Sequence, residues 1–375
     1  MKVAIVGAGI GGLTLAAALE KHGHQALLLE KRAAFAAEGA GVVLGPNVMS
    51  ALRALGLHEP ILARGRAVTG MNITDQDGML LGRSGYAVCE LPLPGVAIHR
   101  SKLHEILRGS CSGALRLGCT VDAIEPGAPP RLTVDAEPVA CDLVVGADGI
   151  RSQVRRLIAP DATTRYSGYT CFRFVVDRQF SDEVVEMWGR GKRVGVVPIG
   201  EGQTYVFTTL NAAPHAPKPF ATLAEFKALW SEFGAPASQA FEALDDLGAV
   251  LHNDLEDGIC SRFWADGVAL LGDAAHAVTP NMGQGAGLAI EDACCLAHLL
   301  STPSELGDAL RRYEALRRPR AQWILDRSYS LGKIAQLESG LGRALRNLAL
   351  RLTPDSINHS ALKRIVNDMP GVPLA

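Results

Sequence analysis

Three short unbroken apolar runs, Val3–Val6, Leu143–Val145 and Val268–Leu271, each end at a glycine, with an acid close behind the second and third. Runs of this length without polar alternation predict strands buried on both faces, as in a parallel sheet. Between them the periodicity changes. Leu13–Lys21 reads as a helix stopped by Gly23, and Ala26–Leu29 as a second strand closed by Glu30. Leu103, Ile106 and Leu107 recur at helical spacing behind Arg100. "RVGVVPIG" and "TYVFTTL" read as strands joined by a glycine-containing turn, so a separate sheet is expected there. Leu223–Phe233 predicts a helix under that sheet, Ala213–Pro219 a proline-set loop and Gly39–Pro46 a glycine-rich loop. Residues 305–352 read as helical throughout. The pattern is α/β.

The first run carries the most specific chemistry. Gly7-x-Gly9-x-x-Gly12 follows the strand directly and opens a helix; Gly11 lies inside it. Gly7 suits the tight turn, Gly9 lets a pyrophosphate approach the backbone, and Gly12 lets helix and strand close up. The helix start offers free N–H groups and the positive end of its dipole to phosphates. Glu30, 18 residues after Gly12, is placed to accept ribose hydroxyls, with Lys31 beside it. This is a dinucleotide site, and alone it fits NAD or FAD.

Later segments bear on that choice. Arg100 enters its helix where it can reach phosphates or a ribityl chain. Asp148-Gly149 forms a tight acidic turn after Leu143–Val145, with Ser152 as a possible cap and Arg151, Arg155 and Arg156 adding charge. Gly272-Asp273 ends Val268–Leu271, where a carboxylate points into the crevice that open α/β sheets use for ligands. Gly283, Gly285 and Ala286 then start an apolar helix whose N–H groups face that crevice. Its dipole suits the negative edge of a reduced flavin.

Composition narrows the classes. The chain has 375 residues, 48% apolar and 20% charged, with net charge −2. That predicts about two domains and no electrostatic footprint for nucleic acid. Eight cysteines without CxxC spacing argue against a disulfide framework or a zinc site and for a reducing, cytoplasmic setting. No metal ligand set is expected. Lys2 followed by Val3–Leu19 imitates a signal peptide, but its glycines sit where a nucleotide loop needs them. No apolar run is long enough to span a membrane. Residues 305–352 hold Arg311, Arg312, Arg317, Arg318, Arg320, Arg343, Arg346 and Arg351 interleaved with Asp308, Glu314, Asp326 and Glu338. That favours a solvated helix on the nucleotide domain over a basic amphipathic helix touching a membrane periphery.

The N-terminal glycine loop with Glu30, the Asp148-Gly149 turn and the Gly272-Asp273 turn, in that order and spacing, resemble the class A flavoprotein aromatic monooxygenases of para-hydroxybenzoate hydroxylase fold. "VVGADGIRSQVRR", "WGRGKRVGVVPI" and "LHNDLED" resemble the alkylquinolone 3-hydroxylases, and "GKRVGVVPIGEGQTYVF" also resembles the urate hydroxylases. The resemblance implies a Rossmann-like FAD-binding domain of the GR2 type with an inserted sheet-roofed substrate domain and C-terminal helices. The FAD domain would be 1–70, 96–165 and 255–325, the substrate domain 71–95 and 166–254, and the helical segment 326–375. It implies bound FAD, NADH or NADPH and O2 as co-substrates, and oxygen activation as a flavin C4a-hydroperoxide. Glu30 would hold the adenosine ribose, Asp273 the ribityl chain, and Arg100 would lie beside FAD. The Asp148-Gly149 turn would serve both nucleotides, and the Gly39–Pro46 region would flank the isoalloxazine.

For the reaction, Arg193 and Tyr205 match cavity-lining positions, with a surface ion pair for Arg193 and the sheet core for Tyr205 as the alternatives, and the carbonyl of Pro280, ahead of the flavin helix, is a candidate to orient the oxygen. His276 is either functional or a helix-edge residue, and His252 structural. The expected activity is hydroxylation of a small aromatic or heteroaromatic, quinolone-like compound by a monomer or homodimer. Alternatives are a urate- or purine-type hydroxylase, and a flavin reductase or epoxidase on the same fold.

Overall fold

The structure, a computed structural model, describes residues 1–35, 40–89 and 91–373. The three apolar runs lie side by side in a six-stranded sheet. Its order is Trp264–Ala265, Val268–Leu270, Leu143–Gly146, Lys2–Val6, Gln25–Glu30, Ala114–Leu117. Every pairing is parallel except that of Trp264–Ala265 with its neighbour. Register sets Val6 beside Gly146 and Gly146 beside Leu270, so three strands stop at one level. Strand order reverses around the central strand, which leaves a crevice beyond these carboxyl ends.

Two helices cover one face. Ile10–Lys21 is almost wholly buried and ends at His22, where Gly23 takes a φ of +79° to turn the chain back. Gly285–Ser301 packs against it, and the long helix Leu306–Ala335 lies on the other side. The contact of Gly285–Ser301 with Ile10–Lys21 is close: a Cβ on Gly11 would sit 3.2 Å from Ala289 Cβ.

A seven-stranded sheet forms the roof. Its order is Leu251–Ile259, Arg165–Val176, Thr204–Asn211, Lys192–Pro198, Val184–Trp188, Gly70–Asp75, Leu80–Gly85. Alternation sorts its faces. Phe172, Phe174, Val194, Val196 and Val206 meet Phe226, Trp230 and Phe241 in one core. Val175, Val197, Tyr205 and Phe207 meet Ala40, Val43 and Ala97 in another. The helix expected over Leu223–Phe233 is only Leu223–Leu229, set by a Thr222/Glu225 capping box. It packs on the roof face opposite Tyr205, so the roof stands between it and the crevice. The strand Leu251–Ile259 also bridges Ala277 and His276, and so ties the roof to the Asp273 turn.

Two expectations change. Within Gly39–Pro46, Gly39 lies outside the described residues, and Gly41–Leu44 is a strand, not a loop, paired with Gly95–His99. The segment 305–352 is two helices, Leu306–Ala335 and Gly340–Leu352, restarted by Ser339 as N-cap. Asp308, Glu314 and Asp326 lie on the first and Glu338 between them, so the second carries arginines and no acid.

Candidate active site

At the dinucleotide end each loop glycine has its own physical cause. Gly7 takes a φ of +105°, and a Cβ there would lie 2.5 Å from the Ala147 carbonyl oxygen. A Cβ on Gly12 would lie 2.0 Å from the Gly7 carbonyl oxygen, so any side chain would push the helix off the strand. Gly9, by contrast, faces open space and caps its helix without a side-chain acceptor. The first-turn N–H groups are therefore left for an outside anion. Glu30 accepts from Ala8 N at 3.0 Å and Arg32 N at 2.9 Å, which fixes its carboxylate beside the glycine loop. Lys31 is exposed next to it.

At the other end two turns face each other. Asp148 accepts from Ser152 Oγ at 2.5 Å and from Gln153 N at 2.6 Å. Its carboxylate thus holds the start of the helix Gln153–Ile158, while Gly149, at a φ of +77°, faces open space. Ser152 is the N-cap, accepting from Arg155 N at 2.8 Å. Arg155 then donates to the Asp273 carbonyl at 3.3 Å and the Ala274 carbonyl at 3.4 Å, which staples the two turns. Sequence periodicity held no sign of that staple.

Asp273 opens the short helix Asp273–His276, and its side chain is accessible from the crevice. The crowded walls raise its carboxyl above the ordinary range, against the pull of His276, Arg100 and Arg155. Arg100 is exposed at the first turn of Arg100–Gly109. Gly285 and Ala286 form the first turn of Gly285–Ser301, whose N-cap Gln284 supplies no side-chain acceptor, and Gly283 before them faces open space.

Beneath these turns lies a charged network that sequence reading missed. Asp292 accepts from Gly272 N at 3.0 Å, His276 Nε2 at 2.5 Å and Arg317 Nε at 2.7 Å. Glu291 is bound by Arg317 at 2.7 Å, Arg320 at 3.2 Å and Asn47 at 2.7 Å. His276, read as a helix-edge residue, is buried, and Arg317 and Arg320, read as part of a solvated face, point inward. The available signal was the pair of acids inside the apolar run Leu288–Leu300, since buried carboxylates demand cations.

Burial alone would raise the Asp292 carboxyl, but His276 and Arg317 hold it well below the usual range, and Glu291 is lowered by Arg317 and Arg320 against the same burial. Burial would lower the His276 imidazole, but Asp292 outweighs it and raises it. The acids' contribution is present above their unfolded values of 3.8 and 4.5 and lost as pH falls through their folded values. That of His276 is full below 6.5 and lost as pH rises through its folded value. Melting temperature should peak between about pH 5 and 6.5, and His276→Asn should flatten the alkaline decline. Equal alkaline slopes in the two proteins would remove His276 from the linkage.

The roof carries the remaining candidates. Arg193 is only 2% exposed and engaged on every nitrogen. Nε donates to Thr209 Oγ1 at 3.0 Å and Gln336 Oε1 at 3.1 Å, one terminal nitrogen to Glu186 at 3.1 Å, the other to Asn281 Oδ1 at 2.7 Å. Tyr169 stacks beside its guanidinium at 5.4 Å and accepts from Asn281 Nδ2 at 2.8 Å. Pro280, adjacent to Asn281, starts a one-turn 3-10 helix, and its carbonyl accepts from Gly283 N at 2.9 Å.

Tyr205 stands elsewhere on that face. Arg193 pairs with Thr209 and Val197 with Tyr205, so the two are four residues apart along the strand, roughly 13 Å. Gly41 presses on the Tyr205 ring, where a Cβ would come within 2.5 Å. The cations near Tyr205 are Arg173 and Arg100. Burial still raises the phenol, which stays protonated as a donor. Arg173 also donates to Asn253. His252 stacks on Phe172 and bonds Thr170, within the roof itself.

These features fit FAD: two uncapped helix starts, open glycines at Gly9, Gly149 and Gly283, Glu30 fixed beside the first glycine loop, and an accessible Asp273 at the other end of the crevice. Among the described residues no cluster of His, Cys, Asp and Glu suits a metal ion. Comparison with known proteins agrees. A family model described as "FAD binding domain" matches residues 1–115 and 120–328. Aurachin C monooxygenase/isomerase of Stigmatella aurantiaca is 38% identical over 362 residues, 94% of this chain and 94% of that protein. 2-heptyl-3-hydroxy-4(1H)-quinolone synthase of Pseudomonas aeruginosa is 35% identical over 374 residues, 97% of each. Klebsiella pneumoniae HpxO complexed with FAD and uric acid shares the fold, with a TM-score of 0.88 at 24% identity over 99% of this chain and 97% of that one. The chain belongs to the FAD-binding-domain family and is a class A FAD-dependent monooxygenase of para-hydroxybenzoate hydroxylase fold.

Proposed function

We propose that the substrate is an alkyl-bearing heteroaromatic of the quinolone class, hydroxylated on its ring between the roof and the crevice. The supporting observation is the crevice-side face of the roof. Around Tyr205 and Arg173 it is apolar, built by Cys171, Val175, Gly195, Val197 and Phe207, while further along the strands the same face carries the Arg193, Glu186 and Thr209 cluster. A Cβ on Gly195 would strike the Phe207 ring at 1.9 Å, so the glycine lets that ring lie flat across the face. An apolar surface with a donor at one edge suits a ring carrying a carbonyl and an alkyl chain. A purine has several polar edges, and a site built for it would offer more partners. Two relatives at 38% and 35% identity over nearly the whole chain bear aurachin and quinolone names, which supports the same choice.

FAD, when bound and reduced by NAD(P)H, supplies the electrophilic oxygen from O2; one oxygen atom goes to the ring and the other leaves as water. The chain's own residues position and exclude. The Tyr205 hydroxyl, kept protonated, donates to the substrate oxygen, with Arg173 behind it. The roof keeps water off the ring. Arg193, neutralised by Glu186, is a positioning residue that fixes Asn281 and with it the Pro280 turn. Glu30, Asp273, Arg100 and the helix starts hold the cofactor.

A panel of alkylquinolones, hydroxyaromatics and purines tests this, scored by stimulated NAD(P)H oxidation against hydrogen peroxide release. Coupled turnover with alkylquinolones is expected; stimulation by purines alone would overturn the reading. Product free of label from 18O2 would instead mark a reductase. Arg193→Ala should keep its flavin but release more peroxide per NAD(P)H. It should also lose about 3–5 kcal/mol of stability from the broken buried pair. Normal coupling in that variant would separate the Pro280 turn from the reaction.

A further inference from the structure

Two arginines on the crevice-side face of the roof differ in charge balance. Arg193 is answered by Glu186 at 3.1 Å. Arg173 lies further along, paired with Phe207 and diagonal to Tyr205. The adjoining strand Leu251–Ile259 gives carboxylates to other arginines: Glu256 to Arg151 at 2.5 Å and Asp257 to Arg165 at 2.6 Å. To Arg173 it presents Asn253, a neutral amide whose Oδ1 accepts from Nη2. Asp254, the next residue, points to the opposite face and accepts from His215 N at 2.8 Å. Among the described residues no carboxylate pairs with Arg173. Its Nε is buried with no hydrogen-bond partner. A half-buried cation lacking both a counter-ion and an acceptor is costly until a ligand completes it.

Granted the roof surface as the substrate site, we propose that Arg173 is its specificity-determining residue: it takes the substrate's ring oxygen as an oxyanion, so an acidic heteroaromatic is bound in its ionised form. For an alkylquinolone the ring N–H gives its proton to solvent and the charge settles on the exocyclic oxygen; no electron is gained or lost. Cys171, Val175 and Phe207 keep water from screening the guanidinium on that face. The groups facing Arg173 are Cys171 on its own strand, Tyr205 on the next and Arg100 across the crevice. Burial raises the thiol and the phenol, so both stay neutral through about pH 8.5. His252, on the adjoining strand, turns to Phe172 in the opposite face. The charge that changes with pH is therefore the ligand's own.

The test is a titration of the FAD-loaded protein, followed by flavin absorbance. The ligands are an alkylquinolone, its N-methyl analogue, which cannot ionise, and a hydroxybenzoate. Wild-type affinity for the alkylquinolone should rise about tenfold per pH unit below the compound's own pKa. The N-methyl analogue should bind weakly and without that slope. Arg173→Gln should lose about ten- to hundredfold in affinity for the ionised compound and flatten the slope. Its flavin content and its affinity for NAD(P)H should not change, and Arg173→Lys should restore the slope. Asn253→Asp, which hands Arg173 the missing counter-ion, should reproduce the loss and serves where Arg173→Gln does not fold. If the hydroxybenzoate binds through Arg173 and the quinolone does not bind, Arg173 keeps its role and the quinolone reading falls. Equal affinity of wild type and Arg173→Gln for whichever compound binds would overturn the proposal, as would an N-methyl analogue held as tightly as its parent. So would a loss confined to NAD(P)H, which gives the cation to the nucleotide.

Discussion

Arg317→Met lowers the melting temperature by roughly 4–6 °C, the expected result of stranding two buried carboxylates. Arg317 is fully buried and bridges Asp292 at 2.7 Å and Glu291 at 2.7 Å. Both acids hold it charged at any working pH. Removing one partner of a buried pair costs about 3–5 kcal/mol, because the charges left behind are out of water and keep only Arg320, on Glu291, and His276, on Asp292. A chain of this length shifts by little more than a degree per kcal/mol, by extrapolation from smaller domains to about 0.8 kcal/mol/K. The double variant Arg317→Met/Asp292→Asn should recover part of the loss, since it removes one stranded charge. A thermal melt showing a shift under one degree would mean that Arg320 and His276 suffice to neutralise the two acids.

Asp273→Ala should leave a folded protein that no longer keeps its flavin through gel filtration. The carboxylate is accessible from the crevice at the end of the strand level shared by Val6, Gly146 and Leu270. A hydrogen bond to a charged acceptor contributes about 1.5–3 kcal/mol, which is roughly a ten- to hundredfold loss of FAD affinity. Asp273→Asn should fall between, as it keeps an acceptor without the charge. Flavin absorbance per chain, with circular dichroism as the folding control, decides it. Full flavin content in Asp273→Ala would remove this residue from the cofactor site.

The glycine loop was legible because its pattern is local: strand, glycine loop, helix, strand and acid follow one another within 30 residues, and Gly7 and Gly12 answer to the adjacent strand end and to each other while Gly9 faces open space. The three strand ends were legible for the same reason, since buried parallel strands write themselves as unbroken apolar runs. What escaped depends on distant partners. Charges on 305–352 read as neighbours of one another, whereas Arg317 and Arg320 answer Glu291 and Asp292 on the preceding helix. Merging two helices into one also averaged away the acid-free character of Gly340–Leu352. The resemblance gives Arg193 and Tyr205 to one substrate cavity, but hairpin register, which side chains on both strands decide together, sets them apart along the sheet and brings Arg173 near Tyr205.

The Arg193 guanidinium fastens three pieces of chain that the backbone joins only by long detours: the roof strands, the Asn281 turn and the tail of the long helix at Gln336. These parts must therefore travel together. A bulky guest that lifts the roof on entering drags the Pro280 turn with it, so that filling the slot and reshaping the flavin's edge become a single movement rather than two.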